Sequence, residues 1–192
     1  VDNVTGASGA TGMLNVLSSA ADGYTLLFSA ENPSLYDAME ISDKTYDDMD
    51  VLFLIGSEEV VLYVAADSPY NTIEELIEYA KDNPGKVTKP ASGAAGLAAI
   101  ADSLIKAATG AEITMVPADS DGDALIQVLG GTVTCGVGKM STISGYLEEG
   151  KIKILASMTS ERIDLLPDVP AITERYPEFG EYFPWGSFYT VC

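Results

Sequence analysis

The 192-residue chain contains no histidine, and its 10 Lys plus Arg stand against 29 Asp plus Glu. Without histidine there is no Ser–His–Asp or Cys–His nucleophile pair and no imidazole metal ligand, although carboxylate chemistry survives. The shortage of base leaves a formal charge of −19. That argues against nucleic acid and anionic membrane as partners, because little here could replace phosphate counterions. Cysteine occurs only at Cys135 and Cys192, which make no zinc or redox spacing. Cys135 lies in a strand-like run and reads as a small buried apolar residue. A bond between the two cysteines is left open. No apolar run reaches the ~18–20 residues needed to cross a bilayer. No cofactor or metal is expected. The chain opens on Val1 without a recognisable signal segment, as expected of a mature, trimmed or recombinant piece.

What is present is a globular composition, 47% apolar and 20% charged, long enough for one large domain or two small ones. Strand-like and helix-like stretches alternate. A glycine-rich run, Gly6–Gly12, precedes helical spacing at Met13, Val16, Leu17 and Ala20, and Tyr24–Ser29 reads as a strand. Val51–Ile55 and Val60–Ala65 are short, Val-bearing apolar runs that read as strands buried on both faces. Thr72 and Glu75 form a capping box ahead of Ile73, Leu76, Ile77 and Ala80. A helix with Leu97, Ile100, Ala101, Leu104, Ile105 and Ala108 on one face follows the strand Val87–Lys89. The remaining strands are Ile113–Val116, Val133–Val137 and Ile152–Met158, with helices Asp119–Leu129 and Ile143–Glu149 between them. Such βα units predict an α/β fold with largely parallel pairing. Crossings between lobes are expected at Ala65–Pro69 and Ser157–Ser160. They give one discontinuous lobe, 1–66 plus 158–192, and a second lobe, 67–157.

The strongest local signal is the string Lys89-Pro90-Ala91-Ser92-Gly93-Ala94-Ala95-Gly96 between a strand and a helix. Small side chains at Ser92, Gly93, Ala94, Ala95 and Gly96 would let a ligand approach the main chain, where unpaired amides and the helix dipole favour an anion such as a carboxylate. A tight turn that merely packs accounts for the pattern equally well. The spacing is neither that of a P-loop nor that of a dinucleotide fingerprint. Gly6–Gly12 is a second small-residue turn, either a plain N-cap or another wall of the same cleft. Lys139 follows a strand end where α/β ligands sit, and a solvated surface lysine is the bland alternative. Asp119, Asp121 and Asp123 read as first-turn acids rather than Ca²⁺ ligands.

Taken in order, several strings resemble the extracytoplasmic solute receptors of tripartite tricarboxylate transporters, the TctC or Bug family. They are Ala21-Asp22-Gly23-Tyr24-Thr25-Leu26-Leu27, Asn32-Pro33-Ser34-Leu35-Tyr36, the stretch from Thr72 to Lys86, and Ser92-Gly93. Val128-Leu129-Gly130-Gly131-Thr132-Val133, Gly150-Lys151-Ile152-Lys153-Ile154-Leu155-Ala156 and Leu166-Pro167-Asp168-Val169-Pro170 complete the series. The resemblance implies a type II periplasmic-binding fold, two hinged lobes with mixed, mostly parallel sheets closing on a small organic acid. It implies that Ser29 and Ala30, in the Ser29–Pro33 segment, and the Gly6–Gly12 turn border the cleft. It also implies an extracytoplasmic location and membrane permease subunits as partners. Family members begin earlier and continue further, so the first lobe is expected to be incomplete, with exposed edges that invite dimerisation. Where the family carries a hydroxyl- and Asn-rich turn, this chain has Ala91, Ala94, Ala95 and Gly96 around Ser92. Where the family has Asp-Asn, it has Gly138-Lys139.

The leading expectation is a receptor for a di- or tricarboxylate or related acid that performs no chemistry. The alternatives are a ligand-less remnant or interaction module of the same fold and, in third place, a carboxylate-dependent enzyme. The enzyme would need paired acids with separated pKa values, and none lies near either glycine turn.

Overall fold

In the computed structural model, which describes residues 1–91 and 96–192, the elements follow the punctuation of the sequence. Helix α1 (Ala10–Leu17) starts behind Gly9 and stops where Ser18 and Ser19 turn their hydroxyls back onto the Asn15 carbonyl at 2.9 and 3.0 Å. It therefore ends before Ala20, because local side-chain bonds compete with the helical ladder. Strands β1 (Phe28–Ala30), β2 (Phe53–Glu58) and β3 (Val60–Ala65) follow. Helix α2 (Ile73–Asp82) is capped by the Thr72 hydroxyl, which accepts from Glu75 N–H at 3.3 Å. The Glu75 carboxylate reaches one residue further back than a capping box requires, to the Asn71 N–H at 2.7 Å. Then come β4 (Thr88–Ala91), α3 (Leu97–Thr109), β5 (Thr114–Pro117), α4 (Asp121–Leu129), β6 (Gly136–Lys139), α5 (Met140–Glu148), β7 (Ile152–Ser157), α6 (Ile172–Arg175) and β8 (Ser187–Val191). Helix α4 starts two residues after Asp119, at the Ser120 cap, and the Asp123 carboxylate is engaged by the Asp119 N–H and Gln127.

The chain forms two compact units. Among the described residues, Val1–Ser57, Gly96 and Ser187–Cys192 form the smaller, and the stretches 58–91 and Leu97–Gly186 form the larger. Both places where the sequence suggests a crossing lie in the larger unit. Hydrogen bonds to main-chain carbonyls tie them there. Ala66 N–H donates to the Lys151 carbonyl, and Lys153 Nζ donates to the Ser68 carbonyl at 2.8 Å. Ser157 N–H donates to Pro170, and Met158 N–H donates to Val60.

In the larger unit β3 is central, with β6 and β7 on its two sides, both antiparallel to it. β4 and β5 pair in parallel, and Thr134 N–H donates to the Thr88 carbonyl ahead of β6. Antiparallel pairs are thus more numerous here than the βα alternation suggests. The reason is β3: β6 and β7 share a direction, as a βαβ unit demands, but β3 runs between them. Val60, Leu62 and Val64 point to one face, against Ile73, Leu76 and Ile77 of α2 and Ala101 and Ile105 of α3. Val61 and Tyr63 point to the other, against Leu125 and Val128 of α4 and Ile143 of α5. Helices cover both faces, which is why β3 is apolar at every position.

The smaller unit carries the sheet β1-β8-β2, with β1 antiparallel to β8. Here one reading of the sequence fails. Phe53, Leu54 and Ile55 are 57%, 61% and 51% exposed, so β2 is not covered on both faces. It is an edge strand. The two cysteines are free thiols, Cys135 buried in the larger unit and Cys192 half-buried in the smaller. Burial pushes the Cys135 thiol up to about 12, so it packs as an inert apolar group. Among the described residues no helix is long and apolar enough to cross a membrane.

One pH prediction arises from the α6 cap. Glu174 accepts from Arg162 Nε at 2.8 Å and Nη2 at 2.9 Å, and from the Ala171 N–H at 3.0 Å. These bonds lower its carboxyl from 4.5 to about 2. A depressed carboxyl stabilises the fold fully above its unfolded value and loses that contribution as pH falls through the folded one. Between pH 5 and 2, melting temperatures of Glu174→Gln should therefore fall less steeply than those of the parent. Parallel curves would show that the Arg162 pair contributes nothing measurable.

Candidate functional site

The smaller unit places Ser29 and Ala30 beside the Gly6–Gly12 turn. Four consecutive residues there are left-handed: Gly6 (φ 127°), Ala7 (46°), Ser8 (53°) and Gly9 (94°). For Ala7 and Ser8 this region is costly and needs support from its surroundings. Tyr36 supplies it. Its phenol donates to the Ser8 carbonyl at 2.7 Å, while the ring, 1% exposed, packs on Ala10 and Met13. Desolvation pushes the Tyr36 hydroxyl up to about 12, so it remains a donor at any physiological pH. A Cβ at Gly9 would sit 3.0 Å from the Tyr36 hydroxyl, a contact tight enough that the phenol would have to give way by a few tenths of an ångström.

The opposite wall is β1, fixed by its pairing of Ser29 with Thr190 and Ala30 with Tyr189. The Tyr46 hydroxyl donates to the Ala30 carbonyl and shares a 3.0 Å bond with Thr190. Between these walls lies a cavity of about 980 Å³ lined by Ser8, Gly9, Gly12, Ser29, Ala30 and Tyr36, together with Asn15 and Asn32. Among the described lining residues Asp2 is the sole charged side chain. A guest here would meet hydroxyls, carboxamides and main chain together with apolar side chains such as Val4, Val16, Leu27 and Phe28.

In the larger unit the strand-to-helix turn begins at the end of β4. Ser92, Gly93, Ala94 and Ala95 lie outside the described residues, and Gly96 directly precedes the first residue of α3. The strand leading in is held by its parallel register, Ala91 opposite Pro117, and by the Ala118 N–H on the Ala91 carbonyl at 3.1 Å. Lys89, within β4, is fully buried. Its ammonium donates to the Ala98 carbonyl and pairs with Asp102 Oδ1 at 3.6 Å. Burial drives its pKa down from the usual lysine value, and the Asp102 charge opposes that shift. Lys139 is the last residue of β6, opposite Val60, and occupies the N-cap position of α5. Ser29 and Ala30 are thus brought together with the first glycine turn, whereas Lys139 and Gly96 are placed by other elements. Tyr36 and Lys89 are supporting residues that motif reading passes over.

Comparison with known proteins is consistent along the chain. The model of the tripartite tricarboxylate transporter family receptor, TctC, matches residues 1–189. Protein BugT of Bordetella pertussis is 30% identical over 184 residues, covering 93% of this chain and 56% of its own. The chain spans about half the length of the curated relatives it matches. Rpa4515 of R. palustris, solved with adipate, is 25% identical with a TM-score of 0.83, over 99% of this chain and 64% of that one. MatC of Rhodopseudomonas palustris, solved with bound malate, shares the fold at a TM-score of 0.84 and 23% identity, over 97% of this chain and 63% of its own. A family match over nearly the whole length settles the assignment: the chain belongs to the tripartite tricarboxylate transporter receptor family, TctC.

Proposed function

We propose that the protein is a solute receptor that binds a small di- or tricarboxylate and delivers it to the membrane permease subunits of a tripartite tricarboxylate transporter. The supporting observation is the cavity walled by the strained Gly6–Gly9 turn and by Ser29 and Ala30. It offers uncharged donors and, among its described lining residues, no cationic side chain, so an anion would be held by local dipoles that must also outweigh Asp2. Such dipoles count for more in a desolvated site than distant screened surface charge does. That is how a chain of charge −19 can bind an acid. The related Rpa4515 was solved with adipate, which makes adipate the natural first probe. As a member of this receptor family the chain belongs outside the cytoplasmic membrane and performs no catalysis. We assign Ser92, Gly93, Ala94, Ala95 and Gly96, with Ser29, Ala30 and Lys139, to the ligand set.

Calorimetric titration with a panel of aliphatic di- and tricarboxylates tests the reading. Binding should appear for at least one acid, and Gly93→Val should abolish it by covering the amides that a β-branched side chain shields. Unchanged affinity in Gly93→Val would remove the 92–96 turn from the site. Because the chain covers 56% of BugT, a second reading is a unit of this fold with no ligand of its own. Failure of the whole panel would favour it.

Self-association is part of the same proposal. Val51, Leu52, Phe53, Leu54 and Ile55 form an exposed apolar run leading into and along edge strand β2, the type of edge that recruits another strand. Sedimentation should show a concentration-dependent dimer that Phe53→Lys/Leu54→Lys converts to monomer. A monomer at every concentration would refute this interface.

A further inference from the structure

Lys89 carries the inference. A lysine with no exposed surface is costly to keep charged, and such groups persist where the surrounding structure pairs them. Both partners of Lys89 lie on one helix. Ala98 and Asp102 are four residues apart and so stack on the same face of α3. The ammonium therefore bridges β4 to the first turn and a half of α3, whose opening residue Leu97 directly follows the 92–96 segment. Asp102 Oδ1 is buried with no hydrogen bond of its own, so the 3.6 Å ion pair with Lys89 is its compensation.

We propose that Lys89 is the positioning residue of the α3 start. Through Ala98 and Asp102 it fixes the first turn of α3 against β4, and because its ammonium is bonded at Ala98, nearer the helix start than Asp102, the ion pair turns its positive end toward the amides that open the helix and strengthens their hold on a carboxylate. The inference rests on the carboxylate-receptor reading and deepens it. Two roles are contained in it, and they are separable. Replacing both members of a buried pair by apolar groups of similar volume commonly preserves stability, whereas removing one strands the other.

The experiment compares the parent chain with Lys89→Met and with Lys89→Met/Asp102→Leu. Three measurements are made: melting temperature, native-state amide exchange over residues 97–102, and calorimetric titration with adipate and the acid panel. Lys89→Met should lower the melting temperature, speed exchange over 97–102 at least tenfold and weaken binding at least tenfold. The double variant should recover the melting temperature and the exchange protection yet remain at least several-fold weaker in binding, because the oriented ion pair is still missing. Full recovery of affinity in the double variant would reduce the pair to packing and overturn the electrostatic role. Exchange in Lys89→Met equal to that of the parent would overturn the positioning role. If the parent binds no acid in the panel, the carboxylate reading falls and the electrostatic role falls with it, while the exchange measurement still decides whether Lys89 positions α3.

Discussion

Gly136→Val should lower the unfolding free energy by about 3 kcal/mol, the upper end of ordinary overpacking. Gly136 lies in β6 directly opposite Tyr63 of β3. A Cβ at Gly136 would sit 2.4 Å from Tyr63 Cζ and 2.6 Å from its hydroxyl, closer than real carbon contacts allow. The ring has nowhere to go. Tyr63 is 2% exposed and enclosed by Val128, Leu125 and Ile143, and its hydroxyl is pushed above its usual value by that burial. The backbone of β6 would have to yield, and with it the strand that ends on Lys139. Urea unfolding checks this: the midpoint should drop with an unchanged slope. Gly145→Ala is the matched control. Gly145 stands in α5 with open space around it, so alanine there should raise stability by about 0.5–1 kcal/mol through helix propensity alone. Equal midpoints for Gly136→Val and the parent would mean that β3 and β6 are not packed as described.

The comparison of β2 with β3 shows how far sequence carries. Val51–Ile55 and Val60–Ala65 are both short apolar runs, and both predict strands covered on two faces. For β3 this holds, because β6 and β7 flank it and two helix pairs roof it. For β2 it does not, because that strand closes one edge of a three-stranded sheet. Composition reports what a strand could bury, whereas position in a sheet is decided by residues far away. Local signals fared better. The Thr72 cap and the glycines after α3 and α4 act over three or four residues, and the helices begin and end close to where those residues stand, whereas the Ser120 cap, which sequence reading passed over, moves the start of α4 two residues past Asp119. The candidate site divides in the same way. Ser29 and the Gly6–Gly12 turn are legible as small-residue segments. The role of Tyr36 is not, since it bonds a backbone carbonyl 28 residues away. Lys89 did leave a trace: a lone cation in a short strand between Thr88 and Pro90, thirteen residues ahead of Asp102. Chain position alone could not say that the two meet.

Gly9→Val should produce the largest loss of ligand binding outside the 92–96 turn. Two costs combine at this position. Its φ of 94° is one that L side chains rarely adopt, and its Cβ would crowd the Tyr36 hydroxyl at 3.0 Å. Backbone strain of this type costs about 1–3 kcal/mol. The cheapest relief is for the Gly6–Gly9 run to abandon its left-handed conformation, which breaks the Tyr36–Ser8 bond and collapses one wall of the cavity. Tyr36→Phe separates the two effects. It keeps the ring on Ala10 and Met13 and removes only the 2.7 Å bond to Ser8, a loss of about 1 kcal/mol. Titration with an acid of the panel that the parent binds should therefore rank the parent above Tyr36→Phe, and Tyr36→Phe well above Gly9→Val, with at least a tenfold drop for Gly9→Val. The reasoning is that Ala7 and Ser8 are held in an unfavourable conformation only while something outside the turn holds them, and Tyr36 is the group that does so. If Gly9→Val binds that acid as the parent does, the strained turn is not a wall of the site.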